Sequence, residues 1–273
     1  MNASRVATVA RTDLKQLLAS KDFLIPMGIV ASFFFILMPL VLLFTIVQIG
    51  DIPAIQRISQ TLDALPDKAL DNLQGETASA RAAYALAVYL FAPLAIIVPL
   101  MISTSVAAAS LVGERERGTG EFLAHSPAST HEIYLGKLIA SFVPGYAATL
   151  GGFAVYALIV NTIVGPEVGG WFFPTVDWWL LMLWVVPPIL ILALSIVLRL
   201  SGRLRSTAAA QQAAGMVSLP TILLAYAQST GALFGSLTST LLVGLAAWTV
   251  SILSITSAMR AVRRSRLLGV GVD

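Results

Sequence analysis

The residues of this 273-residue chain whose types and spacing could do chemistry are concentrated between 113 and 137. The run Gly113-Glu114-Arg115-Glu116-Arg117-Gly118-Thr119-Gly120-Glu121-Phe122-Leu123-Ala124-His125-Ser126-Pro127-Ala128-Ser129-Thr130-His131-Glu132 holds four of the 14 acidic residues, among basic ones, and both histidines. Carboxylates and guanidiniums at this density suit charge-assisted hydrogen bonds in a complementary cleft of a partner. They suit equally a loop held at a lipid headgroup boundary. Gly118 and Gly120 permit tight backbone turns. Glu121-Phe122-Leu123-Ala124 can then form a short helix, stopped by Ser126-Pro127. Ser129 followed by Glu132 is a capping box that restarts a helix. The loop is expected to be an organised protrusion: helix, short helix, helix.

Other chemistries are missing. There is no cysteine, hence no disulfide, iron–sulfur or thiolate zinc site. His125 and His131 do not form an HExxH pair and read as ordinary loop residues. Gly136-Lys137 is followed by Leu138 and lacks the upstream glycine of a phosphate-binding loop, so no ATP site is carried here. No catalytic, cofactor-binding or metal residue is expected in this chain.

The elements that must position the loop follow from composition. The chain is 57% hydrophobic and 11% charged, with mean hydropathy +0.85, against about 25% charged residues in soluble domains. That excludes a soluble fold, and disorder with it. Five stretches lack Asp, Glu, Lys and Arg: Phe23–Gly50, Ala82–Gly113, Leu138–Pro166, Trp178–Leu198 and Ser206–Met259. A bilayer crossing needs about 20 apolar residues. The last stretch has 54 residues, and Thr230-Gly231-Ala232-Leu233-Phe234-Gly235-Ser236 punctuates it. It is therefore read as two spans. The expectation is an all-α polytopic integral membrane protein, one transmembrane domain over 1–273. Its six spans lie at about 23–48, 84–112, 138–164, 178–198, 207–228 and 237–258. A barrel is excluded because the apolar runs are long and continuous.

With six spans, 14 of the 17 Lys and Arg fall on the side of both termini, and only Arg57, Lys68 and Arg81 on the other. The positive-inside rule then makes the termini and the 113–132 loop cytoplasmic. Residues 1–22 form an N-terminal interfacial helix, with Val6, Val9, Ala10, Leu14, Leu17 and Leu18 on one face and Arg5, Thr8, Arg11, Thr12 and Lys15 elsewhere. Residues 50–81 form an extracytoplasmic segment. Ile55, Ile58, Leu62 and Leu65 recur there at helical spacing, while its five acids also fit a plain solvated face. Trp171-Phe172-Phe173 and Trp178-Trp179 suit an aromatic belt at the outer interface.

No Asp, Glu, Lys or Arg falls inside the six expected spans, which argues against a proton-coupled carrier. Neutral polar groups do: Ser103, Thr104 and Ser105 in span two, and Gln211, Gln212, Ser218 and Thr221 in span five. They either bond neighbouring helices or line a pathway. Eight prolines lie in the spans, where they can bend helices.

The run Gly113-Glu-Arg-Glu-Arg-Gly-Thr119, then Glu121, Ser126-Pro127-Ala128-Ser129, Glu132 and Gly136-Lys137, resembles the signature of ABC-2 type permeases, the membrane subunits of ATP-binding-cassette exporters. Gly120 departs from it, standing where the family commonly has a larger apolar residue, and the segment 50–81 is longer than the minimal family layout. The resemblance implies that 113–132 is a coupling loop docking on a separate ATP-binding subunit through Glu114, Arg115, Glu116, Arg117, Gly118, Thr119, Glu121, Phe122 and Pro127. It implies two copies of that subunit, a second copy of this chain or a related permease, and ATP and Mg held by the partner alone. It places the protein in a cell membrane, with membrane lipid as its surroundings, an extracytoplasmic partner open, and no nucleic acid. The other readings of the same residues are a non-transporting membrane anchor and an ATP-independent carrier. An amphiphilic cargo fits uncharged spans better than a bare ion does.

Overall fold

The computed structural model describes residues 2–49, 73–116, 126–201, 204, 206–229 and 237–261. Among them every regular element is helical. In chain order these are α1 (Ala3–Ala19), α2 (Lys21–Ser32), α3 (Met38–Ile49), α4 (Ala78–Ala85), α5 (Leu94–Glu116), α6 (Thr130–Ile163), α7 (Val176–Leu180), α8 (Val186–Ser201), α9 (Thr207–Ser229) and α10 (Leu237–Ala261). Single π-helical turns join α2 to α3 at Phe33–Leu37 and α7 to α8 at Leu181–Val185; a third, Leu86–Leu90, follows α4.

Five helical stretches are long and apolar enough to cross a bilayer: Lys21–Gln48, Ala78–Ser110, Thr130–Ile163, Val176–Ser201 and Leu237–Arg260. They overrun the charge-free stretches at their ends, because a helix stops at its caps and not where the hydrocarbon stops. Thr130–Ile163, 34 residues, is about 51 Å long, well beyond a hydrocarbon core of about 30 Å. It takes in Glu132 and Lys137, and Val176–Ser201 takes in Asp177 and Arg199. α9 is a further long helix, packed against α5 and α8. The punctuation at 230–236, the outer segment over 50–72 and His125 lie outside the described residues.

Each π turn precedes a proline by two or three residues: Pro39, Pro93 and Pro187. Proline cannot donate to the carbonyl four residues back, and its ring crowds that carbonyl. Widening the preceding turn absorbs the conflict: Met38 donates to Phe33, Phe91 to Leu86 and Val186 to Leu181. At Pro93 the helix breaks altogether. Phe91 N–H goes to Leu86 and Ala92 N–H to Tyr89, so the carbonyls of Ala87 and Val88 lose their usual donors. Tyr156 Oη donates to Ala87 (2.6 Å) and Trp178 Nε1 to Val88 (2.9 Å) in replacement. A proline in one span is thus compensated from two others, which fixes their relative heights.

That exchange corrects the aromatic-belt expectation. Trp171 and Trp179 are exposed, but Phe173 and Trp178 are buried. They stack with Phe153 and Tyr156 in one cluster. Asn161 organises the chain above it. Its Oδ1 accepts from the N–H groups of Phe172 and Phe173, both at 3.0 Å, and its Nδ2 donates to Phe173 and Ala157 carbonyls. The reversal leading into this segment needs Gly169, at φ +92°.

The spans meet where small residues permit. A Cβ on Gly145 would collide with Ser103 Oγ, so α5 and α6 cross closely there. A Cβ on Gly152 would meet the Phe35 ring, and one on Gly244 the Trp184 indole.

Candidate docking surface

The end of the bundle that carries the charged loop is built from the start of α6. Ser129 caps that helix, and the expected capping box forms: Glu132 N–H donates to Ser129 Oγ (3.3 Å), and Ser129 N–H donates to Glu132 Oε2 (2.8 Å). Glu132 is 3% exposed. Its other oxygen, Oε1, accepts from the backbone N–H of Asn2 at 2.6 Å. Arg5 Nη1 donates to the Pro127 carbonyl at 2.9 Å and stands 3.9 Å from Glu132. The first turn of α1 is therefore latched to the chain as it leaves the charged loop.

The latch continues down the helix pair. A Cβ on Gly136 would lie 2.6 Å from Val9 Cγ1, so only glycine admits α1 this close. One residue on, Lys137 Nζ donates to Asp13 Oδ2 at 3.1 Å and to the Ser110 carbonyl at 3.4 Å. The packed face of α1 runs through Val6, Val9, Ala10, Asp13, Leu14 and Leu17, while Leu18 is exposed. This amends the face read from sequence, which included Leu18 and passed over Asp13. The signal was available: Asp13 is the one acid in α1 and lies three and four residues from Ala10 and Leu17.

Further ties close the same end. His131 Nε2 bonds the Met259 carbonyl near the end of α10 at 3.0 Å. Arg199, in the last turn of α8, donates from Nη2 to the Ser254 carbonyl and to Ser257 Oγ. The start of α1, the end of α5, the start of α6 and the ends of α8 and α10 thus share one end of the bundle.

Of the residues expected to dock a partner, Glu114, Arg115 and Glu116 occupy the final turn of α5; their side chains lie outside what is described. Arg117, Gly118, Thr119, Glu121 and Phe122 fall outside the described residues. Pro127 is exposed, with its carbonyl held by Arg5.

A family model for the ABC-2 family transporter proteins matches residues 7–267. The chain belongs to that family. No curated protein matches it. This ABC-2 permease is a membrane component of a transporter and is not itself catalytic.

The seven pathway candidates of the permease fall into two groups. Ser103 and Thr104 are buried at the α5–α6 crossing, with Thr104 Oγ1 donating to the Leu100 carbonyl, and Ser105 is half-buried. Ser218 is buried on α9 and donates to the Ala214 carbonyl. Gln211 and Gln212 are exposed, on the α9 face that also presents Gly215, Met216 and Leu219. The Thr221 side chain lies outside what is described. Among the described side chains of the group, the two glutamines are the ones turned outward, where apolar lipid would not satisfy them.

Proposed function

We propose that this chain is the membrane-spanning subunit of an ATP-driven exporter of the ATP-binding-cassette class, with ATP and Mg bound and ATP hydrolysed on a separate subunit. The observation that carries the reading is the convergence of the start of α1, the end of α10 and both flanks of the charged loop at one end of the bundle. Convergence requires an even number of crossings. With α9, about 35 Å long by its 23 residues, as the fifth, the count is six. Fourteen basic residues then fall on the loop side, and the positive-inside rule makes that side cytoplasmic, in the cell membrane of a prokaryote.

In this reading the 113–132 segment is a coupling loop that docks on the ATPase subunit, and α1 is an interfacial helix that braces it. Force applied to the loop enters α5 and α6 directly. Because Arg5, Asn2 and Asp13 tie α1 to α6, the loop's base moves as one body. Two copies pair, and Gln211 and Gln212 face the path at their junction. The substrate is amphiphilic, consistent with spans whose middles carry no charge.

Glu121→Arg tests the docking. The variant is expected to keep its fold and lose co-purification with the ATPase subunit and ATP-dependent transport in vesicles. Undiminished complex formation and transport would overturn the assignment.

A further inference from the structure

Between the elbow joining α1 to α2 and the ends of α5 and α6 lies a cavity of about 80 Å³, several times what one water needs. Its lining mixes apolar Leu17, Phe23 and Ala109 with polar Asp13, Gln16 and Ser110. No lysine or arginine is among the described residues that line it. Lys137, which neutralises Asp13 through Oδ2, is not part of the lining. The Asp13 side chain keeps 14% of its surface accessible. Ser110 Oγ is buried and has no hydrogen-bond partner among the described residues. Buried hydroxyls are rarely left unmet, so the cavity calls for a guest.

Depth narrows the guest. Ser20 and Phe23, both lining residues, bracket the start of the span Lys21–Gln48, and Ser110 lies one helical turn before Glu114, the first charged residue at the end of α5. The cavity is therefore at the level of lipid headgroups. The Asp13 carboxylate only accepts hydrogen bonds; it repels a phosphate and favours a donor cation, to which the Gln16 amide oxygen and the Ser110 hydroxyl can add acceptors. A quaternary ammonium has no N–H to give. At the rim, Lys21 adjoins Ser20 and is exposed, a position suited to a phosphate.

We propose that this cavity holds the primary ammonium of a phosphatidylethanolamine headgroup, donated to Asp13 and Ser110, with the phosphate at the rim beside Lys21. The site rests on the chain's residence in a bilayer and not on coupling to ATP, so it stands or falls separately from the exporter reading.

The test is lipid retention by the full-length chain, released from micelles of defined lipid and weighed by native mass spectrometry. Phosphatidylethanolamine should be retained about tenfold over phosphatidylcholine, the ratio for one charge-assisted hydrogen bond lost. Ala109→Leu fills the cavity and leaves the Asp13–Lys137 pair intact; it should bring the two lipids to parity. Ser110→Ala should lower the preference without touching the pair. Equal retention of both lipids by the unaltered chain overturns the proposal. So does an unchanged preference in Ala109→Leu with an intact thermal transition, or full displacement of the lipid by free ethanolamine. Should Ala109→Leu fail to fold, the lipid comparison on the unaltered chain and the Ser110→Ala result decide alone.

Discussion

Lys137 Nζ, on a side chain 1% exposed, lies 3.1 Å from Oδ2 of Asp13, 124 residues earlier in the chain. The pair ties an N-terminal helix to the 34-residue α6, buried between helices where a lone ammonium would be costly. Burying both charges is offset by their attraction and by the Ser110 carbonyl, so the net worth of the pair is small while the cost of halving it is large.

Replacing Asp13 by Asn should therefore destabilise the protein by about 3 kcal/mol, the usual result of stranding one buried charge. The double variant Asp13→Leu with Lys137→Met should recover most of it. Thermal unfolding in one detergent compares the three. Equal losses in the single and double variants would show that packing, and not the charge pair, holds α1.

Gly136 makes the same contact steric. Gly136→Ala places a Cβ 2.6 Å from Val9 Cγ1, and overpacking of this kind costs about 1–3 kcal/mol. The expected effect is local: α1 lifts, and trypsin cuts at Arg11 and Lys15 faster. Adding Val9→Ala should slow the cuts again. If cleavage in Gly136→Ala matches the unaltered chain, the close approach is not what seats the helix.

How far the fold was legible in the sequence depends on which residues are asked. Five of the spans were readable because a bilayer demands charge-free runs of about 20 residues, as in Phe23–Gly50 and Leu138–Pro166. Ser129 and Glu132 were readable because a capping box is local. The partner of Glu132 was not: the N–H of Asn2 is 130 residues away, and no spacing rule reaches so far. Gly136-Lys137 stood out as a resemblance without a physical reason until Val9 and Asp13 supplied one. Trp178 was assigned to a belt because composition cannot tell an indole at the interface from one repairing a helix break. For Ser103 the sequence leaves both readings open, because a hydroxyl in a span looks the same whether it faces a path or a glycine on the next helix.

The repair at Pro93 can be measured. Tyr156→Phe removes the donor to the Ala87 carbonyl, and Trp178→Phe the donor to the Val88 carbonyl. Each should cost about 1–3 kcal/mol as a buried acceptor left unmet. In a Pro93→Ala background the regained N–H lets the α-helical ladder reform, and both losses should shrink. Equal losses with and without Pro93 would mean the two side chains act through packing alone.

Asn161 allows a finer distinction. Asn161→Asp keeps the two bonds accepted from Phe172 and Phe173 but sets an oxygen against the carbonyls of Phe173 and Ala157, which the amide now donates to. Asn161→Leu loses all four. Hydrogen exchange over 171–175 should rise in both, and more in the leucine variant. Exchange confined to baseline in Asn161→Leu would show that the aromatic cluster alone holds the segment.

Arg5 separates stability from coupling. Its side chain is 48% exposed, its contact with buried Glu132 is a long 3.9 Å, and that carboxylate keeps the N–H donors of Asn2 and Ser129, so Arg5→Ala should cost about 1 kcal/mol. Yet Arg5 is the residue that grips the Pro127 carbonyl, where the charged loop rejoins the bundle. If the loop's base must move as one body, loosening it lets ATP closure flex the loop without tilting α5 and α6. Arg5→Ala should then leave the thermal transition and complex formation near those of the unaltered chain while transport per ATP hydrolysed falls several-fold. Arg5→Lys reaches the same carbonyl with a single donor and should restore part of the ratio. An unchanged ratio in Arg5→Ala would mean that α5 and α6 take the force without the brace, and that α1 serves only to seat the protein at the membrane boundary.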